Sequence, residues 1–202
     1  MYKIIDISKD MLRAPLYPGD PPPEVSVFSA IAAGDACNMA KLTATLHTGT
    51  HADAPLHFLP DGAGIGALPL SPFIGECTVI EVPPGPLTGE TVNRLFPQVK
   101  RLLLKGGGKA YFEKTGAEEA AALGLELLGT DALSVGGEDD QKGPHRALLR
   151  ENVCILENLE LSKVSPGSYF LFAPPVKIGG ADGAPVRALL LDGYLFWSGS
   201  GV

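Results

Sequence analysis

Basic charge is in short supply. The 202-residue chain carries 16 Lys and Arg against 23 Asp and Glu, a formal net charge of -7, so it lacks the excess that draws proteins onto nucleic acid or anionic lipid. Cysteine is scarcer still. Cys37, Cys77 and Cys154 are an odd number, far apart and free of CxxC spacing, which points to reduced thiols in a cytoplasmic protein, used as small core residues. No apolar run reaches the roughly 20 residues that cross a bilayer, and the opening MYKIIDISKDML has no long apolar run behind a basic segment. Neither a secretory leader nor a membrane anchor is expected. The partner left by these exclusions is a small molecule.

What is present is apolar residues at 45%, with 25 Gly and 18 Pro, the profile of a globular chain of short elements and tight turns. The length suits one domain over residues 1–202, and no repeat, linker or low-complexity tract divides it. Alternation and turn signals predict strands at 4–6, 41–47, 76–82, 101–104, 125–130, 153–159, 169–173 and 186–191. One helix is expected over 90–96 behind a Thr88 cap, one behind Thr115 where Thr115-Gly116-Ala117-Glu118 has capping-box spacing, and one opening at Pro144. The tail over residues 192–202, with the sole Trp197, has no readable period and docks on the domain or on a neighbouring subunit.

Histidine is the informative scarcity. Three of the four in the chain fall within HTGTHADAPLH, His47 to His57. In an extended strand His47, Gly49, His51 and Asp53 point to one side, so two imidazoles and a carboxylate converge, while Pro55 redirects the chain to bring His57 in from another angle. Nitrogen ligands with a hard, bridging-capable oxygen are what a transition-metal site uses. A lone histidine is more often a satisfied core or surface residue, but several titratable groups on one side of a strand cost desolvation and repulsion unless a cation or a catalytic role offsets them. The fourth, His145, follows Pro144 on a short helix. Glu157, in the apolar run Val153-Cys154-Ile155-Leu156-Glu157, needs a cation or a proton, and a metal, a lysine or an arginine would each serve. Lys105-Gly106-Gly107-Gly108-Lys109-Ala110 lacks phosphate-loop spacing and reads as a turn. The acidic run Glu138-Asp139-Asp140 reads as a solvated loop, near enough to His145 to flank a site.

HTGTHADAPLH resembles the HxGTHxDxPxH signature of the cyclase-like metal-dependent hydrolases, which include bacterial kynurenine formamidases and isatin hydrolases. The resemblance extends from Ile5-Asp6-Ile7-Ser8 and Tyr17-Pro18-Gly19-Asp20 to Ile155-Leu156-Glu157-Asn158 and the stretch Gly180 to Arg187. It implies an α/β fold of the swivelling β/α/β kind, a single domain with a β-rich core and a few flanking helices, assembled as a homodimer or higher homo-oligomer. It also implies one or two divalent ions, with zinc favoured by the imidazole ligands and manganese as the alternative. By the same resemblance His47, His51 and Asp53 hold a first ion, and Asp53 bridges to a second held by His145 and Glu157. His57 is then the proton shuttle. Tyr17, where formamidases tend to have Trp, and Phe58 are the implied substrate contacts. The implied reaction is hydrolysis of an amide, with N-formylkynurenine as substrate. The rival readings are hydrolysis of another cyclic amide, lactone or aryl amide, and a non-catalytic metal- or ligand-binding protein.

Overall fold

The computed structural model describes residues 3–193, so the Trp197 part of the tail lies outside the described residues. Among those described, the chain runs β1 (Lys3–Asp6), β2 (Glu24–Ser29), β3 (Met39–Thr43), β4 (His51–Asp53), β5 (Ile74–Glu81), β6 (Gly85–Leu87), α1 (Gly89–Leu95), β7 (Arg101–Lys105), β8 (Ala110–Phe112), α2 (Lys114–Ala122), β9 (Leu127–Thr130), α3 (Lys142–Arg150), β10 (Cys154–Glu157), β11 (Gly167–Phe172), β12 (Gly183–Pro185) and β13 (Leu189–Asp192). Nine strands form one curled mixed sheet in the order β1-β13-β11-β5-β7-β9-β10-β4-β12. Its middle, β5-β7-β9-β10, is parallel, and both flanks are antiparallel.

The parallel strands are nearly unbroken apolar runs because they are covered on both faces. Leu103, Leu127, Cys154 and Leu156 point into a cluster with Ile7, Phe73 and Leu190. Their sequence neighbours Leu102, Leu104, Leu128 and Ile155 point the other way, into a second cluster with Val92, Ala117, Ala120 and Leu148 of the three helices. This is strand alternation applied to a sheet with two cores.

The helices begin where their first turns can be satisfied. Thr88 caps α1 as its spacing predicts, its hydroxyl accepting from the Thr91 N–H at 3.2 Å. The expected Thr115 box does not form: α2 opens at Lys114 behind Glu113, two residues earlier than a Thr115 cap would set it, leaving Thr115 inside the first turn. β8 is the reason. It pairs with β6 through Phe112, and the Glu113 N–H bonds the Leu87 carbonyl at 3.2 Å, which sets the helix entry by tertiary pairing. Likewise α3 starts at Lys142 and not at Pro144. Its buried face is Pro144, His145, Leu148 and Leu149, so His145 lies on the apolar stripe turned toward the sheet.

Two strand expectations need correction. The 41–47 strand stops at Thr43, since residues 46–50 form a tight turn. The 186–191 strand shifts to Leu189–Asp192, with Val186 making only an isolated bridge to Pro175. β6, β8 and β12 have three residues each, too short for periodicity to show. β2 and β3 form a separate hairpin. Cross-strand register gives it one face of Val25, Val27, Ala40 and Leu42 and another of Glu24, Ser26, Lys41 and Thr43. The apolar face is open to solvent, with Val27 69% and Leu42 52% exposed.

Candidate metal centre

β4 lies between β10 and β12, and register assembles much of the site. His51 is directly opposite Glu157, and Asp53 is opposite Ile155, so His51, Asp53 and Glu157 share the face that α3 covers. α3 contributes His145 from above. His47 arrives differently from the strand alternation expected. The turn through residues 46–50, with Gly49 at φ +70° and the Thr50 hydroxyl donating to the Asn158 carbonyl at 2.7 Å, folds it back over the strand. Its Nδ1 comes to 3.0 Å from Asp53 Oδ1. Gly183 on β12 leaves the space for this ring, because a Cβ there would lie 2.6 Å from His47 Cε1.

Hydrogen positions at the buried histidines follow from their partners. His51 Nδ1–H donates to the Gly49 carbonyl at 2.9 Å, and His145 Nδ1–H donates to the Gln141 carbonyl at 2.6 Å. A carbonyl only accepts, so in each neutral ring Nε2 is a lone pair. His51 Nε2 lies 3.4 Å from Asp53 Oδ1 and 3.3 Å from Glu157 Oε2. His145 Nε2 lies 3.4 Å from Asp53 Oδ2 and 3.2 Å from Glu157 Oε1. Among the described residues, His51 Nε2 and Asp53 Oδ2 are buried without a hydrogen-bond partner. Acceptors crowded against acceptors, away from water, require protons or a cation between them. The spacing suits a cation: ligands at about 2.0–2.2 Å in a tetrahedron stand about 3.3–3.6 Å apart. The donor set of imidazoles and carboxylates therefore fits a divalent transition metal.

Without an ion, protons hold the cluster together. Burial opposes the charged form of His51, yet the carboxylates of Asp53 and Glu157 facing its Nε2 carry its pKa up to about 10. His145 follows, against burial, to about 10 through the same two carboxylates. Burial would raise Asp53, but the bonds from His145, His47 and His51 hold it well below the usual carboxylate range. Glu157 is also lowered, despite burial and the neighbouring Asp53 charge. Among the described residues its ion-pair partners are the two histidines, with no lysine or arginine. Its Oε1 also accepts from the Val135 N–H at 2.7 Å and the Ser134 hydroxyl at 3.1 Å.

His57 ends the short 3-10 turn Pro55–His57, stacked on His47 at 4.0 Å between ring centroids. Phe58 stacks on His145 at 4.2 Å and meets His57 edge-on at 4.5 Å. The structure thus brings His47, His51, Asp53, His57, Phe58, His145 and Glu157 together. Tyr17 stands apart from them, in a neighbouring cleft of about 630 Å³ lined also by Tyr111, Ser134, Gln141 and the Glu138–Asp140 run. Ser134 joins cleft to cluster, its Oγ lying between Gln141 Oε1 at 2.6 Å and Glu157 Oε1. A larger cavity of about 1040 Å³, near β5, β11 and residues 191–193, is lined by none of the clustered side chains.

Two residues that sequence reasoning did not assign a role also belong here. One is Ser134. The other is Asp182, whose Oδ2 is 3.1 Å from His47 Nε2 and 3.2 Å from His57 Nδ1 across 135 and 125 residues of chain. Its only local signal is a carboxylate within a glycine-rich loop. The Lys105–Lys109 turn carries an anion of its own, since the Gly106 and Gly107 N–H groups donate to the Asp131 carboxylate at 3.0 and 2.9 Å.

Residues 5–136 match the Cyclase family profile. The chain is 36% identical over 207 residues to the kynurenine formamidase of Sphingopyxis alaskensis (strain DSM 13593 / LMG 18877 / RB2256), covering 95% of this chain and 99% of that protein. A solved structure described as a potential metal-dependent hydrolase with cyclase activity superposes with a TM-score of 0.83 at 27% identity, over 96% of this chain and all of that one. Isatin hydrolase A from Labrenzia aggregata, bound to benzyl benzoate, shares the fold at a TM-score of 0.80 and 19% identity, over 95% and 94% of the two chains.

Proposed function

The chain belongs to the Cyclase family, and from that membership we propose that it is a metal-dependent hydrolase of a non-peptide C–N bond, converting N-formylkynurenine to kynurenine and formate. The observation that carries the reading is the pair of buried Nε2 lone pairs, on His51 and His145, facing the oxygens of Asp53 and Glu157. The substrate itself rests on the likeness to the formamidase.

The two oxygens of Asp53 have different neighbours. His47 and His51 approach Oδ1, whereas His145 approaches Oδ2. This division supports His47, His51 and Asp53 as the residues that would hold one ion, with His145, Glu157 and Asp53 as those that would hold a second, although His51 Nε2 also lies 3.3 Å from Glu157 Oε2. The imidazole share of the donor set favours zinc over manganese. Held by these residues, a divalent ion would supply the chemistry of a lowered water pKa, from 15.7 to about 7, and of carbonyl polarisation. His57 accepts the proton released as water attacks and returns it to the leaving aryl nitrogen, which would otherwise depart as a poor, anionic leaving group. Phe58 beside His57, and Tyr17 in the adjoining cleft, offer aromatic faces to the substrate ring.

The test is formate release from N-formylkynurenine by zinc-loaded and by chelator-stripped protein. Turnover that depends on the metal is expected. Fully loaded protein that leaves N-formylkynurenine intact while opening a cyclic amide such as isatin would move the substrate to the rival class.

We also propose a homodimer or larger homo-oligomer, supported by the apolar face that the β2–β3 hairpin leaves in solvent. A two-stranded sheet is marginal by itself and gains from a cover. Light scattering should give at least twice the 21.1 kDa of one chain; a monomer at micromolar concentration would rule the assembly out. The three unpaired cysteines, two of them buried, support operation in the reducing cytoplasm, which cell fractionation checks.

A further inference from the structure

We propose that Asp182 is a positioning residue: one of its oxygens fixes the tautomers of His47 and His57 together, and thereby decides which nitrogen of His57 is the free base. The inference rests on the reading of His57 as the proton carrier.

A carboxylate oxygen accepts hydrogen bonds and donates none, so each histidine nitrogen facing Asp182 Oδ2 carries a hydrogen. For His47 that nitrogen is Nε2, so Nδ1, 3.0 Å from Asp53 Oδ1, is the nitrogen that would give up its hydrogen to hold an ion beside Asp53. For His57 it is Nδ1, which leaves Nε2 as the free base. The opposite tautomer of His57 would carry its hydrogen on Nε2 and leave no free base there. The rings are stacked at 4.0 Å with planes 25° apart, so one oxygen serves both. A histidine that acts as metal ligand or base commonly has such an acceptor behind it.

The backbone holds Asp182 in register with the signature. Its carbonyl accepts from the Ala54 N–H at 2.9 Å, the Ala181 carbonyl accepts from the Ile65 N–H at 2.8 Å, and the next residue, Gly183, pairs with Asp53 across β4 and β12. The loop is thus pinned to the strand that carries the central carboxylate and to the chain just beyond His57. Among the described residues, the side-chain partners of Asp182 are the two histidines. Its side chain is 42% exposed, so Asp182→Asn removes the charge and the obligate acceptor with little demand on the core.

The experiment combines kinetics at saturating zinc with nitrogen-15 NMR of the zinc-loaded protein. Asp182→Asn should lower kcat about 10–100-fold, the usual cost of losing a partner behind a functional histidine, with KM nearly unchanged and partial recovery in Asp182→Glu. In the His57→Ala background, with saturating zinc offsetting any weakening of the ion through His47, the same substitution should lower kcat no further, because the base it positions is gone. NMR should show the His57 hydrogen on Nδ1 in the wild type. Multiplicative losses in the double variant, or a wild-type His57 protonated on Nε2, would overturn the proposal. Should His57→Ala by itself leave kcat intact, the proton-carrier reading fails on that result, and the NMR tautomer still decides for or against Asp182.

Discussion

His57→Ala is expected to keep its full complement of metal and to hydrolyse an aryl formamide about 10²–10⁴-fold more slowly than the wild type, the range that general acid–base catalysis supplies. The contacts of His57 support this split between binding and turnover. Nδ1 is engaged by Asp182, one ring face lies on His47, and the ring meets Phe58 edge-on. Burial, reinforced by the charges of His47 and His145 and opposed by Asp53 and Asp182, keeps its pKa below the usual histidine value. It is therefore neutral and ready to accept a proton at neutral pH. The competing role is metal ligation, since donor atoms of His47, Asp53 and His57 lie within 4.8 Å of one another. Metal content and kcat measured on the same sample separate the two. Loss of metal in His57→Ala as complete as in His51→Ala would make His57 a ligand and remove the shuttle.

His51→Ala is expected to give the larger effect, loss of metal and of all measurable turnover together, for a reason that the pH dependence of the wild-type site should expose. In the stripped protein His51 and His145 hold protons up to about pH 10. An ion at neutral pH must displace them, so binding releases about two protons and affinity climbs steeply as pH rises. Stability of the stripped protein runs the other way. The folded pKa of each histidine is raised from 6.5 to about 10, so the stabilisation from their bonds to Asp53 and Glu157 is complete below 6.5 and is lost as pH rises toward 10. Stripped protein should thus show a falling Tm between pH 6.5 and 10, while the margin by which zinc raises Tm widens over the same interval. Calorimetry on stripped and loaded samples at several pH values checks both slopes. A stripped Tm that rises across that window would mean that protons do not bridge the cluster, and the account of the metal-free site would be wrong.

The donor inventory is legible in the sequence because the signature concentrates His47, His51, Asp53 and His57 in eleven residues, and because Glu157 is a charge inside an apolar run. The signature misleads about His47. Strict alternation requires a continuous strand, whereas Gly49 in a left-handed conformation breaks it and the turn returns the ring to Asp53 by another path. Glu157 leaves three partners open on sequence. Register across from His51 and the inward face of α3 select histidines over lysine or arginine. The family resemblance sets Tyr17 and Phe58 together on the substrate; in the fold Phe58 packs on His145, while Tyr17 lines the cleft beyond Ser134.

Sequence by itself determined the features whose cause is local. The parallel strands announce themselves as apolar runs because both faces are buried, Thr88 caps α1 because its hydroxyl reaches an N–H three residues on, and the histidine signature sets the chemistry because its donors are near neighbours along the chain. Tertiary structure alone decided which oxygen of Asp53 each histidine meets, that Asp182 stands behind two of them, that Asp131 fills the glycine turn at Gly106, and that β8 starts α2 before its apparent cap. Outside the signature itself, these contacts join residues 25 or more positions apart. Hydrophobic period carries no record of them, because it reports which face of an element is buried and not what that face is buried against.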